Sequence, residues 1–402
     1  MKKTLLIPLF VFSLANANAD WIQQTSNTSG TLLGVSFTDQ MNGYIVGTSG
    51  LILQTSDGGS NWSIMPSGTT SFLRDIYFSD QINGAIVGES GLILRTTNGG
   101  QNWIPQISNT TEHLVHVNFI DALNGIIGGQ NGVILTTTNG GTNWITNNSG
   151  VNSEIAGVTM ISSTTAYAAG FNGTILKTTN GGINWTSQNS GLTSELRSIF
   201  FTDQNTGFLA GYNGKILKTT NGGSNWIAQN SNTVNNLFSI YFSNSGTGTA
   251  VGTGSILKTI DGGNNWVSQT ISFTGDLYSV FFVNENKGWT VGQNGRIFYT
   301  ENGGVGINSN SEEIPEKFVL YQNYPNPFNP STTIEFSIPS SSVISLKVYN
   351  VLGSEVAVLI NEFKQRGNYE VNFSSGSLSS GIYFYKIEAG DFIQVRKMIM
   401  VK

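Results

Sequence analysis

The sequence predicts an all-β protein: a seven-bladed β-propeller closed by its N-terminal strand, followed by an immunoglobulin-like β-sandwich. Three observations carry this reading. Tryptophan recurs at positions 21, 62, 103, 144, 185, 226 and 266, at spacings of 41 residues and, once, 40. A period in the low forties built from short β-prone runs marks a blade of four antiparallel strands. Charged residues make up only 11% of the chain while glycine contributes 49 of 402 residues, the composition that many tight inter-strand turns demand. Near residue 308 the repeat stops and a different run of strands begins.

The first residues read as an export signal over 1–19. Lys2 and Lys3 precede an apolar run from Leu5 to Leu14, and Ala17, Asn18 and Ala19 offer small residues for cleavage before Asp20. The run is too short to span a bilayer, and no later segment approaches the ~20 apolar residues a transmembrane helix needs. Cysteine is absent, which excludes disulfides, thiol catalysis and thiolate metal sites. A net charge of −5 without a basic stripe argues against nucleic acid as a partner.

Residues 20–307 form the propeller. In the second unit, Leu73 to Phe78 is a first strand, Ala85 to Gly88 a second and Leu92 to Thr96 a third. A turn at Asn98 to Gly100 then leads to a last strand near Trp103. The strands are apolar on both faces, as expected where each sheet packs between two others. Gly50, Gly91, Gly132, Gly173, Gly214, Gly254 and Gly295 precede the seven third strands. The seventh unit has isoleucine, Ile307, in the tryptophan register and little strand-like sequence beyond it. Its missing outer strand is expected at the other end of the chain, from Asp20 to Thr25, which would close the ring and remove two open sheet edges. An open solenoid is the structural alternative.

The turn before each tryptophan resembles the Asp-box of sialidase-type (BNR) repeats. Thr55, Asp57, Gly59 and Trp62 match it, as do Thr259, Asp261, Gly263 and Trp266, while Asn98, Asn139, Asn180 and Asn221 replace the aspartate between them. The whole unit is similar to the photosystem II assembly-factor type of propeller repeat, over about residues 20–307. The boxes themselves read as structural, with a short acceptor side chain capping a turn beside a buried ring.

After a linker at 308–314, residues 315–402 resemble the type A sorting domain of the type IX secretion system. The match lies in the run from Asn323 to Thr333, with Pro325, Pro327, Phe328 and Pro330, and in Val348 to Gly353. It continues in Ser380 to Tyr385, with Gly381, and in Lys397 to the terminal Lys402. Strands are expected over Ile344 to Tyr349, Tyr369 to Phe373, Ile382 to Ile387 and Gln394 to Met400, after an extended, turn-rich stretch from Tyr321 to Phe336. The resemblance implies a Bacteroidota-like bacterium, recognition by the type IX machinery and a secreted or cell-surface destination.

Strand direction puts the loops into each first strand, and those between second and third strands, on one side of the disc. Residues that break the repeat there are the functional candidates. Phe171 and Tyr212 occupy second-to-third-strand loops, and Phe238 and Tyr278 stand near the starts of inner strands. Asn172, Asn213 and Asn294 could add hydrogen bonds, and Arg74 and Arg197 add charge. Packing between blades is the competing reading of the aromatics. A glycoside hydrolase would need two carboxylates across a bond, and Asp75, Glu89, Glu112, Glu154, Glu195 and Asp276 single out no pair. The arginines Arg74, Arg95, Arg197 and Arg296 are spread over three blades, unlike a sialidase cluster. His113 and His116, three apart on an expected strand, point to opposite faces. The expectation is therefore a monomeric, non-catalytic binding or adhesion module with no cofactor, metal or catalytic residue. Its expected ligand is an extracellular polysaccharide or a surface protein. The alternative is a sialidase- or xyloglucanase-like glycoside hydrolase.

Overall fold

The computed structural model describes residues 21–269, 271–304, 317–340, 342–364, 367–376, 378–390 and 392–402. The export signal and the linker at 308–314 lie outside the described residues. The chain divides into two compact units, with the division at residues 306 and 307.

In the first unit every blade is a four-stranded antiparallel sheet. Blade two comprises Leu73–Phe78, Gly84–Gly88, Ile93–Thr96 and Ile104–Gln106, paired in that order. The second strands are buried along their whole length, and the outer strands are largely exposed. That gradient explains why the middle strands carry no polar alternation: neighbouring blades cover both of their faces. The seventh sheet runs from Leu277–Phe282 through Gly288–Gly292 and Ile297–Thr300 to Ile22–Gln24. Ile22 pairs with Tyr299 and Gln24 with Ile297. The ring is therefore closed by the N-terminal strand, and Trp21 seats its ring edge-on at 5.8 Å from Phe282.

The turns explain the repeated threonine and glycines. In blade two the buried Thr96 hydroxyl donates to Asn98 Oδ1 (2.9 Å) and accepts the Gly100 amide (2.9 Å). Asn98 Oδ1 in turn accepts the Asn102 amide at 3.1 Å. The Gly99 amide donates to the Ile82 carbonyl at 2.9 Å, tying this turn to the one between the first two strands. At the opposite end Gly91 takes φ +72°, and a Cβ there would stand 1.9 Å from the Thr110 carbonyl oxygen. Only glycine fits that crossing.

Where aspartate replaces asparagine the turn acquires a titration. The Asn61 side chain and amide, with Thr55, hold the Asp57 carboxyl below its ordinary value. The Asn265 amide and side chain take Asp261 down to about 2. A carboxylate with a depressed folded-state pKa stabilises above its unfolded value, and that contribution is lost as pH falls through the folded value. The melting temperature should therefore decline from about pH 4 towards pH 2. The combined Asp57→Asn and Asp261→Asn variant should show a shallower decline in thermal melts. Both carboxylates are exposed, so the difference should be small.

The second unit is a sandwich of two sheets. One contains Val319–Leu320, Ser331–Ile338 and Gly367–Ser374; the other runs Glu355–Lys364, Ser342–Asn350, Gly381–Ala389, Phe392–Met400. Phe328, Ile334, Phe336, Leu346, Tyr385 and Met398 sit in its core. Two strands depart from expectation. Ser331–Ile338 begins within what reads as a turn-rich stretch, from Tyr321 to Phe336, yet Thr332, Ile334, Phe336 and Ile338 are buried in alternation as a strand requires. Glu355–Lys364 is an edge strand in which Ile360 alone is buried, so burial leaves little pattern in its sequence. The proline-rich motif is stitched to the chain's last strand. Asn326 Oδ1 accepts the Ile399 amide (2.8 Å) and the Phe328 amide donates to the Ile399 carbonyl (2.9 Å). Asn323 Nδ2 donates to Thr332 Oγ1 at 2.9 Å and to the Pro325 carbonyl at 3.1 Å. Gly353 lies in the Asn350 to Ser354 hairpin turn at φ +77°.

Candidate functional site

Each first strand opens with a register shift between its first and third residues, the mark of a β-bulge. A bulge bends the strand and re-aims the residue within it. The second residues of the seven strands are Leu33, Arg74, Val115, Ala156, Arg197, Phe238 and Tyr278, and all seven line one cavity of about 360 Å³ at the mouth of the central channel. The next residue inward supplies Asp75, His116, Ser198, Ser239 and Ser279; in the other two blades it is glycine, Gly34 and Gly157. Deeper in, a narrower space of about 120 Å³ is lined in part by Tyr77, Phe200, Tyr241 and Phe281. Phe200 and Phe281 stand 5.0 and 5.4 Å from the Tyr241 ring. Burial in that cluster pushes the Tyr241 hydroxyl up to about 12.

The mouth is asymmetric. On one side Arg197 is clasped between two rings, its guanidinium carbon 4.7 Å from the Phe171 centroid and 5.0 Å from that of Tyr212. Arg197 Nη2 donates to the Tyr212 hydroxyl at 2.8 Å, and Glu154 and Glu195 lie 3.3 and 3.4 Å from its terminal nitrogens. The aromatic series continues around the mouth. Tyr212 meets Phe238 edge-on at 5.9 Å, and Phe238 meets Tyr278 at 5.3 Å. Across the opening, Arg74 pairs with Glu89 at 2.9 Å, and His116 Nε2 stands 3.8 Å from Asp75 Oδ2. Desolvation raises the Asp75 carboxyl above its ordinary value, against the opposing pull of His116 and the Val117 amide.

The structure brings Arg74, Arg197, Tyr212, Phe238 and Tyr278 together around one opening. Phe171 packs on Arg197 and is not among the cavity-lining residues. Asn172, Asn213 and Asn294 take the left-handed position of their 3-10 loops, at φ 57°, 57° and 56°, and are likewise absent from the lining. Turn geometry accounts for them. His113 and His116 diverge as the sequence suggests: His113 Nδ1 accepts the Ser90 amide at 3.0 Å, while His116 faces the channel. His113 precedes the strand Leu114–Phe119 instead of lying in it. Among the described residues, no three or more histidine, cysteine or acidic groups are placed to hold a metal ion. The Asp75–His116 pair and the Asp276–Gln293 contact (2.9 Å) do not stand out in the sequence. The first pair's one signal is position, since contacts between neighbouring blades recur 42 residues apart, as in Val117 N to Asp75 and Met160 N to Asn118, whereas Asp276 and Gln293 lie 17 residues apart within blade seven.

These features define a seven-bladed propeller of Asp-box-like blades, with a separate β-sandwich at its C-terminal end. The family model described as Photosynthesis system II assembly factor YCF48 matches residues 14–67, 60–197, 184–266 and 223–315, and the chain belongs to this family. A second model, the Secretion system C-terminal sorting domain, matches residues 322–402. The chain thus carries a type IX sorting domain that directs it to the cell surface or the extracellular space. No helix among the described residues is long and apolar enough to cross a membrane. Among solved structures, one described as "YCF48 bound to D1 peptide" is 20% identical with a TM-score of 0.60, covering 72% of this chain and 99% of its own. YCF48 from Cyanidioschyzon merolae is 21% identical with a TM-score of 0.59, covering 70% and 98%. The WD40 propeller domain of Doa1 is 14% identical with a TM-score of 0.59, covering 69% and 96%. These likenesses show the fold. No curated protein matches the chain.

Proposed function

We propose that the exported propeller is a non-catalytic binding or adhesion module that takes an extracellular polysaccharide or a surface protein at the mouth of its channel. One observation carries this reading: the second residues of all seven first strands line a single opening, and four of them, Arg74, Arg197, Phe238 and Tyr278, break the repeat. Ligand sites are concave and present convergent polar groups beside aromatic side chains; this opening, more polar than apolar, sets Arg74, Asp75 and Asp276 beside Tyr212, Phe238 and Tyr278. The neighbouring YCF48 structure, described as bound to a D1 peptide, supports use of this propeller type as a receptor. Three acids beside the mouth are held by arginines, Glu89 by Arg74 and both Glu154 and Glu195 by Arg197. A hydrolase needs carboxyl groups free to exchange protons with a substrate.

The glycoside hydrolase alternative has one specific observation in its favour, the Asp75 carboxyl raised by burial and open to the cavity. Incubation of the full chain with extracellular polysaccharides separates the two. The binding reading expects saturable retention without new reducing ends. Release of reducing ends that disappears in Asp75→Asn would replace it with the hydrolase.

A further inference from the structure

Arg197 shows what this mouth does with a cation when the chain itself provides one. Two ring faces, at 4.7 and 5.0 Å, and two carboxylates, at 3.3 and 3.4 Å, hold a single guanidinium. The adjoining sector repeats these ingredients. Phe238 and Tyr278 lie 5.3 Å apart with their planes at 38°, and the Tyr278 hydroxyl donates to Asp276 Oδ2 at 3.2 Å. Here the chain provides no cation: among the described residues, no lysine or arginine lies over either ring or pairs with Asp276. Asp276 is instead held by neutral donors, with Thr253 Oγ1 at 2.7 Å and Gln293 Nε2 at 2.9 Å. They fix its direction and leave its charge uncompensated.

The ring arrangement also favours one class of ligand. A pyranose stacks on an open, flat aromatic face, whereas Tyr212 meets Phe238 at 78° and Phe238 meets Tyr278 at 38°. Rings set as walls around a carboxylate suit a slender cation, which is attracted to ring faces and gains most where water is displaced.

We propose that Phe238, Tyr278 and Asp276 form a receptor for one lysine or arginine side chain carried by a peptide segment of a partner protein. The proposal rests on the mouth being the ligand site and narrows its ligand to a protein.

The test titrates the full chain with an acetylated, amidated pentapeptide bearing a central lysine between glycines, against the same peptide with norleucine. A glucosamine oligomer serves as the non-peptide cation. The lysine peptide should bind and the norleucine peptide should not. Phe238→Leu and Asp276→Asn should each weaken binding by roughly tenfold, as loss of a desolvated cation–π or charge partner implies. Asp276→Glu should retain part of it, and Asp203→Asn, in a turn on the opposite side, should leave it unchanged. Thermal melts establish that each variant is folded. Equal binding of both peptides, or lysine binding indifferent to Phe238 and Asp276, overturns the proposal. So does binding of the glucosamine oligomer alone. If the lysine peptide fails while a neutral ligand binds and is lost in Tyr212→Ala, the cation proposal falls and the mouth remains the site; if nothing binds there, both fall.

Discussion

Removing residues 21–25 should open the ring, lower the melting temperature steeply and drive the chain into aggregates. The strand Ile22–Gln24 covers the edge of Ile297–Thr300 through the pairs Ile22–Tyr299, Gln23–Phe298 and Gln24–Ile297. Without it, that edge presents unpaired backbone groups to any other chain. Trp21 is 3% exposed and belongs to the cluster of Val251, Ile256, Leu277 and Phe282, between blades six and seven. Trp21→Ala alone should therefore cost about 3–5 kcal/mol, the range for deleting a large buried ring. Trp144→Ala makes the informative comparison. Trp144 is as deeply buried, at 4%, but lies in an internal blade whose strands all remain paired. It should lower the melting temperature without aggregation, whereas the truncation should do both. Thermal denaturation with light scattering reads the two effects separately. A truncated chain that melts and scatters like the intact one would remove the N-terminal strand from its role as the closure.

Replacing Arg197 by leucine should be the most damaging single change at the mouth. It removes the cation that Glu154 and Glu195 face and the partner of the Phe171 and Tyr212 rings. Breaking a fully buried pair costs about 3–5 kcal/mol. The Arg197 side chain is 25% exposed, and screening reduces the expected loss to roughly 1–3 kcal/mol. Adding Glu154→Gln and Glu195→Gln to Arg197→Leu should recover part of it, because the charges left without a partner are then gone. Denaturant titration of the single and triple variants measures this. A triple variant less stable than the single one would mean the carboxylates stabilise the mouth independently of Arg197.

Most of the propeller is legible in the sequence because each blade reuses one solution. Tryptophan spacing sets the period, the glycine before each third strand counts the blades, and the box threonines are buried in the structure at every turn from Thr55 to Thr300. The closing strand is legible for a related reason, since a seventh unit without an outer strand must find one elsewhere. The mouth is harder to read. Arg74, Arg197, Phe238 and Tyr278 stand out as irregular, but their convergence depends on a bulge that leaves no residue signature of its own. Arg197 and Glu154 are 43 residues apart, one period and two positions, so their pairing emerges only once blades are superimposed. Phe171 and Tyr212 read only as irregular loop residues because the arginine they pack against, Arg197, lies in a different element. In the sorting domain, Glu355–Lys364 escapes notice because an edge strand in which Ile360 alone is buried carries little burial pattern.

The central claim is that the mouth of the channel is where this exported propeller binds. Its most direct test is binding of the full chain to arrays of extracellular polysaccharides and surface-derived peptides, run beside two sets of variants. Tyr212→Ala and Phe238→Ala alter the mouth; Asp80→Asn and Asp203→Asn alter turns on the opposite side of the disc. The account predicts a ligand whose binding is lost in both mouth variants and kept in both turn variants, all four being folded. A ligand retained by the mouth variants and lost in the turn variants would contradict it and move the site to the other side.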